Sequence, residues 1–300
     1  MLASALAALL ALAAPEPAPA PDAAVARALA SPAGAARALA ATRPLLGAPY
    51  VRSPLGEGAG RDPDPRFRLD AFDCMTFVET AVALGSARSL AEARAALDDV
   101  RYSGAPAWAN RNHEVLSQWI PANVAKGWIS AAPLAPPGAD ARRVEKDYTP
   151  ATWEAVRAAG RAIPGLPRGR LPLGRFVAPL VSIEDASRVA DRIPDGAVVF
   201  VVREDAPDRA TLVTHAGLVV RGPSGAVRVR HATSTKGVER VIEEPLDRFL
   251  RRESRAYPRW PLAGLSFFAI GDASARVHTL SAAGTGRAGE APAAYPPPEL

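Results

Sequence analysis

The apolar positions in the first part of the chain recur with the spacing of α-helices. Residues 23–41 form an amphipathic pattern interrupted at SPAG, so we expect two short helices there. The stretch Cys74–Leu84 is apolar on every side and predicts a buried helix that ends at a Gly-Ser pair. SLAEARAALDDVRY begins with a capping-box signature, and NHEVLSQWIPANVAKGWI predicts a last helix that its proline breaks. Between these elements, residues 51–67 are rich in Gly, Pro and Asp and predict a surface loop.

A different pattern follows in the rest of the chain. Residues 131–179 are rich in Pro and Gly and predict an irregular insertion with one short helix around 152–161. The runs AVVFVVRE, TLVTHAGLVVRG, AVRVRHATS and LSFFAI are short and rich in β-branched or aromatic residues, which is typical of antiparallel strands. Helices followed by strands favour a single α+β domain over residues 23–270. Residues 271–300 hold few bulky apolar side chains and predict a disordered tail.

Composition and charge exclude some classes of function. The chain has 36 basic and 31 acidic residues, for a formal charge of +5. Arginines are interspersed with acids, and no basic cluster is interleaved with aromatic residues, so nucleic-acid binding is not expected. The single cysteine excludes an intramolecular disulfide and a multi-cysteine zinc site. The 4 histidines lack the spacing of metal ligands, and neither a metal nor another cofactor is expected.

The first residues resemble a secretory signal. An apolar run over residues 2–14 precedes the proline-rich PEPAPAPD, so residues 1–22 are interpreted as a signal-like segment with a stiff linker. The run is too short to span a bilayer, and no stable membrane span is expected. A basic segment before it is missing, which leaves an Ala-rich helix as the alternative. We favour a periplasmic or secreted protein, because the proline-rich stretch has no evident packing role.

Three residues in the two halves suggest nucleophilic chemistry. Cys74 stands in the first turn of the predicted buried helix, where unpaired N–H groups favour a thiolate and can hold an oxyanion. Asp73 is a plausible N-cap but opposes the thiolate electrostatically, so a cationic imidazole partner would be needed. His215 in LVTHAGLVV offers that imidazole, and His231 at the end of the next strand is placed to orient it. Each of these residues, taken alone, more often has a structural role. Taken together, the three make a catalytic role as well supported as a structural one.

Five landmarks carry a resemblance to a known family. GAPY, FDCMTFVE, PDGAVVFVV, HAGLVV and VRHATS occur in the order found in the NlpC/P60 cysteine peptidase superfamily. LLGAPYVRSPLGEG and RYSG…RNHEVLSQWI further resemble its DUF1460 branch, the N-acetylmuramoyl-L-alanine amidase-like proteins. The resemblance extends over residues 45–268. It implies a papain-like α+β fold, with a catalytic cysteine at a helix start packed on a small antiparallel sheet or half-barrel.

The resemblance also implies roles for individual residues. Cys74 would be the nucleophile, His215 the general base and His231 the residue that orients the imidazole. Tyr50 of GAPY matches a tyrosine that lines such sites, where its hydroxyl assists the oxyanion. Asp73 adjoins the nucleophile as the helix cap and is counted with these candidate contacts.

A second group of candidate contacts lies in RNHEVLSQWI. Arg111, Asn112 and His113 are predicted to bind substrate, since an arginine fork suits a carboxylate and amides suit sugar hydroxyls or peptide carbonyls. The alternative is that they cap a helix and hold the loop. After His113, this branch typically has an aromatic residue, whereas this sequence has Glu114. Ser234, just after HAT, is a candidate pocket wall, with a turn residue as the alternative.

The implied reaction is hydrolysis of the amide between N-acetylmuramic acid and L-alanine in a muropeptide, with the anhydro-sugar form as a candidate substrate. A second enzymatic interpretation keeps the chemistry and changes the bond to that between γ-D-glutamate and the diamino acid of the stem peptide. A third, from another class, is a non-catalytic wall-binding protein on the same fold. All three name peptidoglycan as the partner.

Overall fold

The computed structural model describes residues 21–283 and confirms the α+β class. The helices are α1 (Pro21–Ala28), α2 (Ala35–Thr42), α3 (Cys74–Ser86), α4 (Leu90–Arg101), α5 (Ile120–Ala125), α6 (Pro150–Ala158), α7 (Ile183–Ala186), α8 (Leu246–Ala256) and α9 (Ser274–Ala283). The strands are β1 (Ile129–Ala131), β2 (Arg142–Tyr148), β3 (Gly174–Leu180), β4 (Val198–Arg203), β5 (Val213–Arg221), β6 (Val227–Thr233), β7 (Arg240–Pro245) and β8 (Leu262–Ile270).

One antiparallel sheet organises the domain, in the order β1-β8-β4-β5-β6-β7. β4 lies inside it and is buried along its whole length, which explains its apolar run from Val198 to Val202. Phe200, Ala216 and Leu218 face the larger core, where α3 packs on β5 and β6. Val229 and Phe249 belong to a second core on the other face, beneath α8. The sheet is therefore covered on both sides.

Helix α3 begins with a complete capping box. Oδ1 of Asp73 accepts a hydrogen bond from the N–H of Thr76 at 2.8 Å, and Oγ1 of Thr76 accepts one from the N–H of Asp73 at 2.9 Å. This confirms the predicted cap and fixes the first turn at Cys74. From Thr76 to Ser86 every residue is buried, as the all-round apolar pattern predicted.

A buried ion pair joins α3 to α4 and to the loop before α3. Glu79 and Arg101 are only 5% and 3% exposed, and the guanidinium of Arg101 bonds the carboxylate of Glu79. The same guanidinium donates to the carbonyl of Leu55 at 3.1 Å. Burial raises the pKa of Glu79, although the charge of Arg101 opposes the rise. The loop over 51–67, predicted as a surface loop, is thus tied to the interior.

The Pro- and Gly-rich insertion is more ordered than its composition suggested. β2 and β3 pair in register from Arg142↔Leu180 to Tyr148↔Gly174 and form a separate two-stranded sheet. Tyr148 packs with Trp153 of α6, the short helix that the sequence predicted. The partner strands are far apart in sequence and lack strict alternation, so no local turn signal marked them.

Pro121 produces a distortion rather than a break. The chain makes a π-helical turn over Val115–Trp119 and continues directly into α5, with Pro121 in its first turn. Proline has no N–H and its ring crowds the preceding turn, and a wider turn relieves both problems.

The predicted disordered tail begins with a helix, which corrects that prediction. In α9, Val277 is buried and Arg276 forms a two-point ion pair with Asp99 of α4, at 2.7 and 2.9 Å. The low average hydrophobicity of residues 271–300 gave no sign of the buried Val277 or of the ion pair made by Arg276. Pro21 and Asp22, assigned to the linker, begin α1. The rest of the signal-like segment and of the tail lies outside the described residues. Over residues 21–283 no helix has the length and apolar character of a membrane span.

Candidate active site

The candidate nucleophile lies at the end of the ladder between two strands. Backbone pairing of β5 with β6 extends from Arg221↔Val227 to Leu218↔Arg230 and stops there. Cys74, the first residue of α3, reaches this point, where its sulfur lies beside the backbone of Ala216.

The surroundings of Cys74 favour the neutral thiol. Its side chain is partly exposed, yet burial by the surrounding protein is the main effect on its pKa and raises it to about 12. The negative charge of Asp73 raises the pKa of the thiol further, as the sequence analysis predicted. Backbone hydrogen bonds from Ala216 and Met75 favour the thiolate but do not offset burial.

His215 of β5 and His231 of β6 meet just beyond the paired part of the ladder. Nε2 of His215 lies 2.8 Å from Nδ1 of His231. His231 is fully buried, and both rings contact Phe249 of α8. Burial holds the pKa of His215 well below 6.5, and the positive charge of Arg252 lowers it further. The structure therefore favours a neutral imidazole and a neutral thiol, not the cationic partner that the sequence called for, because burial penalises both charged forms.

A glycine allows the two histidine strands to approach. A Cβ atom on Gly217 would lie 2.8 Å from Cγ1 of Val229 and 2.9 Å from Cβ of His231. Both distances are shorter than side-chain carbons tolerate. The glycine of HAG thus permits the hydrogen bond between the histidine rings.

Gly217→Ala is expected to lower the kcat/KM of the reaction catalysed at this site by about 10- to 100-fold. The added methyl group must separate β5 from β6 and lengthen the His215–His231 hydrogen bond. Gly222→Ala is the matched control, since a Cβ there meets only ordinary contacts at 3.6 and 3.7 Å. Steady-state kinetics of both variants, with thermal unfolding to monitor stability, tests this. Equal activity of the two variants would contradict it.

The other nitrogen of His231 contacts a carboxylate that the sequence did not single out. Nε2 of His231 lies 3.2 Å from Oε1 of Glu244, which is 5% exposed. Glu244 lies on β7 directly opposite Val229, so it is the diagonal neighbour of His231 on the same face. The guanidinium of Arg252 bonds the same carboxylate. Burial raises the pKa of Glu244, but the hydrogen bond to His231 and the charge of Arg252 bring it below its usual value.

Tyr50, Asp73 and Ser234 form one wall of the site. The hydroxyl of Ser234 hydrogen-bonds to that of Tyr50, and the pKa of Tyr50 is raised by burial and by the nearby charges of Cys74 and Asp73. Oδ2 of Asp73 accepts the N–H of Ser53 at 3.0 Å and holds that residue at a left-handed φ of 49°. Asp73 therefore fixes both the start of α3 and the segment that carries Tyr50.

Arg111, Asn112 and His113 are engaged with the protein itself. The guanidinium of Arg111 contacts Glu57 at 2.6 Å and Asp62 at 2.7 Å. Oδ1 of Asn112 accepts from the hydroxyl of Ser103 at 2.8 Å, and Nε2 of His113 lies 2.8 Å from the carbonyl of Trp108. These contacts favour the interpretation that the three residues hold the loop. A direct contact with substrate stays a prediction. Over residues 21–283, no group of His, Cys, Asp and Glu could hold a metal ion.

Comparisons with known proteins show which family and which solved structures this chain resembles. Residues 40–256 match the family model AmiA-like, described as N-acetylmuramoyl-L-alanine amidase-like. A Legionella pneumophila str. Philadelphia 1 protein described by the family model DUF1460 is 18% identical, with a TM-score of 0.64 over 84% of this chain and 89% of its own. An N-acetylmuramoyl-L-alanine amidase from Bacteroides uniformis ATCC 8492 is 18% identical, with a TM-score of 0.56 over 76% of this chain and 95% of its own. A search of curated proteins finds no match.

Proposed function

The chain belongs to the AmiA-like family of N-acetylmuramoyl-L-alanine amidase-like proteins, and on this premise we propose that it is a cysteine amidase acting on peptidoglycan fragments. The bond cut is the amide between N-acetylmuramic acid and L-alanine. The observation that carries the proposal is that the sulfur of Cys74 lies beside the backbone of Ala216, the residue next to His215 of the His215–His231 pair. Membership of the amidase-like family supports the choice of this bond as the one that is cut. The cysteine mechanism and membership of the NlpC/P60 superfamily stay predictions.

The hydrogen bond between the histidines leaves one nitrogen of His215 for the thiol. Nε2 is occupied by His231, and Nδ1 is the ring nitrogen nearer the backbone, where Ala216 contacts the sulfur of Cys74. Nδ1 would therefore accept the thiol proton. Because both groups start neutral, proton transfer accompanies the attack of sulfur on the carbonyl carbon rather than preceding it.

The start of α3 supplies a site for the oxyanion. Asp73 accepts the N–H groups of Thr76 and Phe77, which leaves the N–H of Cys74 to donate to the carbonyl oxygen as it becomes negative. The hydroxyl of Tyr50 is the second donor, held by Ser234 and raised in pKa so that it keeps its proton. Two donors aimed at the developing charge stabilise the tetrahedral intermediate.

The remaining steps return the enzyme to its starting state. The C–N bond breaks, and the proton on His215 passes to the departing nitrogen of L-alanine. The acyl group stays on the sulfur of Cys74 as a thioester. His215 then takes a proton from water, the hydroxide adds to the thioester carbonyl, and the C–S bond breaks as the proton returns to sulfur. The products are the muramic acid carboxylate and a free peptide.

Mass analysis of digested muropeptides tests the proposal. We expect free N-acetylmuramic acid or its anhydro form, together with a peptide whose first residue is L-alanine. Sugar that still carries L-Ala-D-Glu would indicate the endopeptidase instead, and unchanged substrate would indicate a wall-binding protein. Parallel digests of reducing and anhydro muropeptides show which sugar is accepted. Export, which action on peptidoglycan would require, stays a prediction because residues 1–20 are not described.

A further inference from the structure

The side chains of His215, His231 and Glu244 form one hydrogen-bonded row. Nε2 of His215 lies 2.8 Å from Nδ1 of His231, and Nε2 of His231 lies 3.2 Å from Oε1 of Glu244. His231 has no exposed surface and Glu244 has 5%. Water therefore has little access to the contact between His231 and Glu244, so the neighbours of His231 in the row decide which of its nitrogens carries the proton.

A carboxylate at the end of the row sets every proton in it. An ionised carboxylate only accepts hydrogen bonds, so the nitrogen of His231 that faces Glu244 must carry a hydrogen. Neutral imidazole has a single N–H, so Nδ1 of His231 must accept the hydrogen bond from Nε2 of His215. His215 then carries its hydrogen on Nε2, and its Nδ1 is free to act as a base.

Arg252 favours the opposite arrangement. Nη2 of Arg252 lies 3.1 Å from Nε2 of His231, and a guanidinium can only donate. If it donated there, the hydrogen of His231 would move to Nδ1 and that of His215 would face the thiol, which leaves no base. The guanidinium also bonds the carboxylate of Glu244, and this satisfies it without taking the histidine nitrogen.

Other charged groups around the two rings leave Glu244 as the group that accepts from His231. Arg203 on β4 is buried, and its Nε donates to the hydroxyl of Thr214 at 3.1 Å rather than to either ring. Glu253 of α8 is buried and contacts Arg252. Nε of Arg248 lies 3.5 Å from the second oxygen of Glu244 and stabilises its charge from the solvent side. At the other end of the row, the backbone of Ala216, next to His215, contacts the sulfur of Cys74.

We propose that Glu244 is a positioning residue that holds His231, and through it His215, in the tautomer with Nδ1 of His215 unprotonated. Its relevance to catalysis rests on the proposed function, but the tautomer itself does not. The hydrogen bond from His231 and the charge of Arg252 together lower the pKa of Glu244 and favour its carboxylate. The row thus extends one residue beyond the cysteine and two histidines.

The test is ¹⁵N NMR of the histidine rings in the full chain, which has only 4 histidines to assign. In the unaltered protein we expect both His215 and His231 to carry hydrogen on Nε2. Glu244→Leu, whose side chain has no hydrogen-bond acceptor, should populate the tautomer with hydrogen on Nδ1 of His215, and kcat/KM on muropeptides should fall by about 100-fold. Glu244→Asp, which keeps the acceptor, should restore part of both.

Two control variants separate positioning from general disruption. Glu243→Gln alters the neighbouring acid, which pairs with Arg228 and Arg230, and should leave the ring signals unchanged. Arg252→Gln breaks the same ion pair as Glu244→Leu but keeps the carboxylate, so the Nε2 tautomers should persist. Hydrogen on Nδ1 of His215 in the unaltered protein would overturn the proposal, as would unchanged ring signals in Glu244→Leu. The spectra need no substrate, so failure to cleave muropeptides would refute the proposed function alone.

Discussion

Cys74→Ala is expected to lower amide hydrolysis by about 10⁴-fold or more, because the reaction loses the atom that forms the thioester. The free energy of unfolding should change by less than about 1 kcal/mol, since the thiol is small, partly exposed and not needed by the capping box. Single-turnover rates on a muropeptide measure the first effect, and urea unfolding measures the second.

Two controls make the Cys74 result specific. Met75→Leu changes the next residue of α3 without removing a nucleophile and should keep activity within a few-fold. Iodoacetamide should label the unaltered chain at one position, since it has 1 cysteine, and labelling should abolish activity. Its rate should rise with pH throughout the neutral range, because the thiol pKa is raised to about 12. Full hydrolysis by Cys74→Ala would rule out the cysteine mechanism.

Arg101→Leu is expected to reduce the free energy of unfolding by about 3–5 kcal/mol, because it leaves the carboxylate of Glu79 buried without a partner. It also removes the donor to the carbonyl of Leu55, which ties the loop to α3 and α4. The pKa of Glu79, already raised by burial, should rise further. The carboxyl can then be protonated in the folded state, so the loss of stability should be smaller near about pH 5 than at about pH 8.

Denaturant unfolding of paired variants tests this interpretation. The double variant Glu79→Leu with Arg101→Leu should lose less stability than the sum of the single variants, because no unpaired charge remains. Arg175→Leu is the matched control. It removes an arginine that is 62% exposed and pairs with Asp147, and it should lower the free energy of unfolding far less than Arg101→Leu does. Equal losses in Arg101→Leu and Arg175→Leu would show that the buried pair contributes nothing beyond a surface one.

Local patterns were sufficient to predict the parts of the site that depend on neighbouring residues. The cap at Asp73, the helix start at Cys74 and the strands of His215 and His231 each follow from a few adjacent positions. The contact between the two histidines was predicted as well, because consecutive antiparallel strands are adjacent. The α+β class followed from the order of these same elements.

Other features depend on register and on distant partners, which local patterns do not contain. Glu244 reaches His231 only because β7 pairs with β6 so that His231 lies opposite Ile242. β7 itself was not predicted, since its sequence leads directly into the helix of PLDRFLRRE. Arg111 was predicted to bind a substrate carboxylate, which stays a prediction, and in the structure it contacts two carboxylates of the loop before α3. The charge and the shape of the Arg111 guanidinium favoured a carboxylate partner. They did not show whether that carboxylate belongs to the substrate or to the protein.

The solitary thiol has a consequence for oxidative damage. A sulfenic acid formed on Cys74 would have no second cysteine in the chain with which to form a rescuing disulfide, so further oxidation would inactivate the protein unless an external thiol intervened. Peroxide reacts with thiolates far faster than with thiols. Because the surroundings of Cys74 raise its pKa and favour the neutral thiol, they limit the amount of thiolate that oxidants could attack.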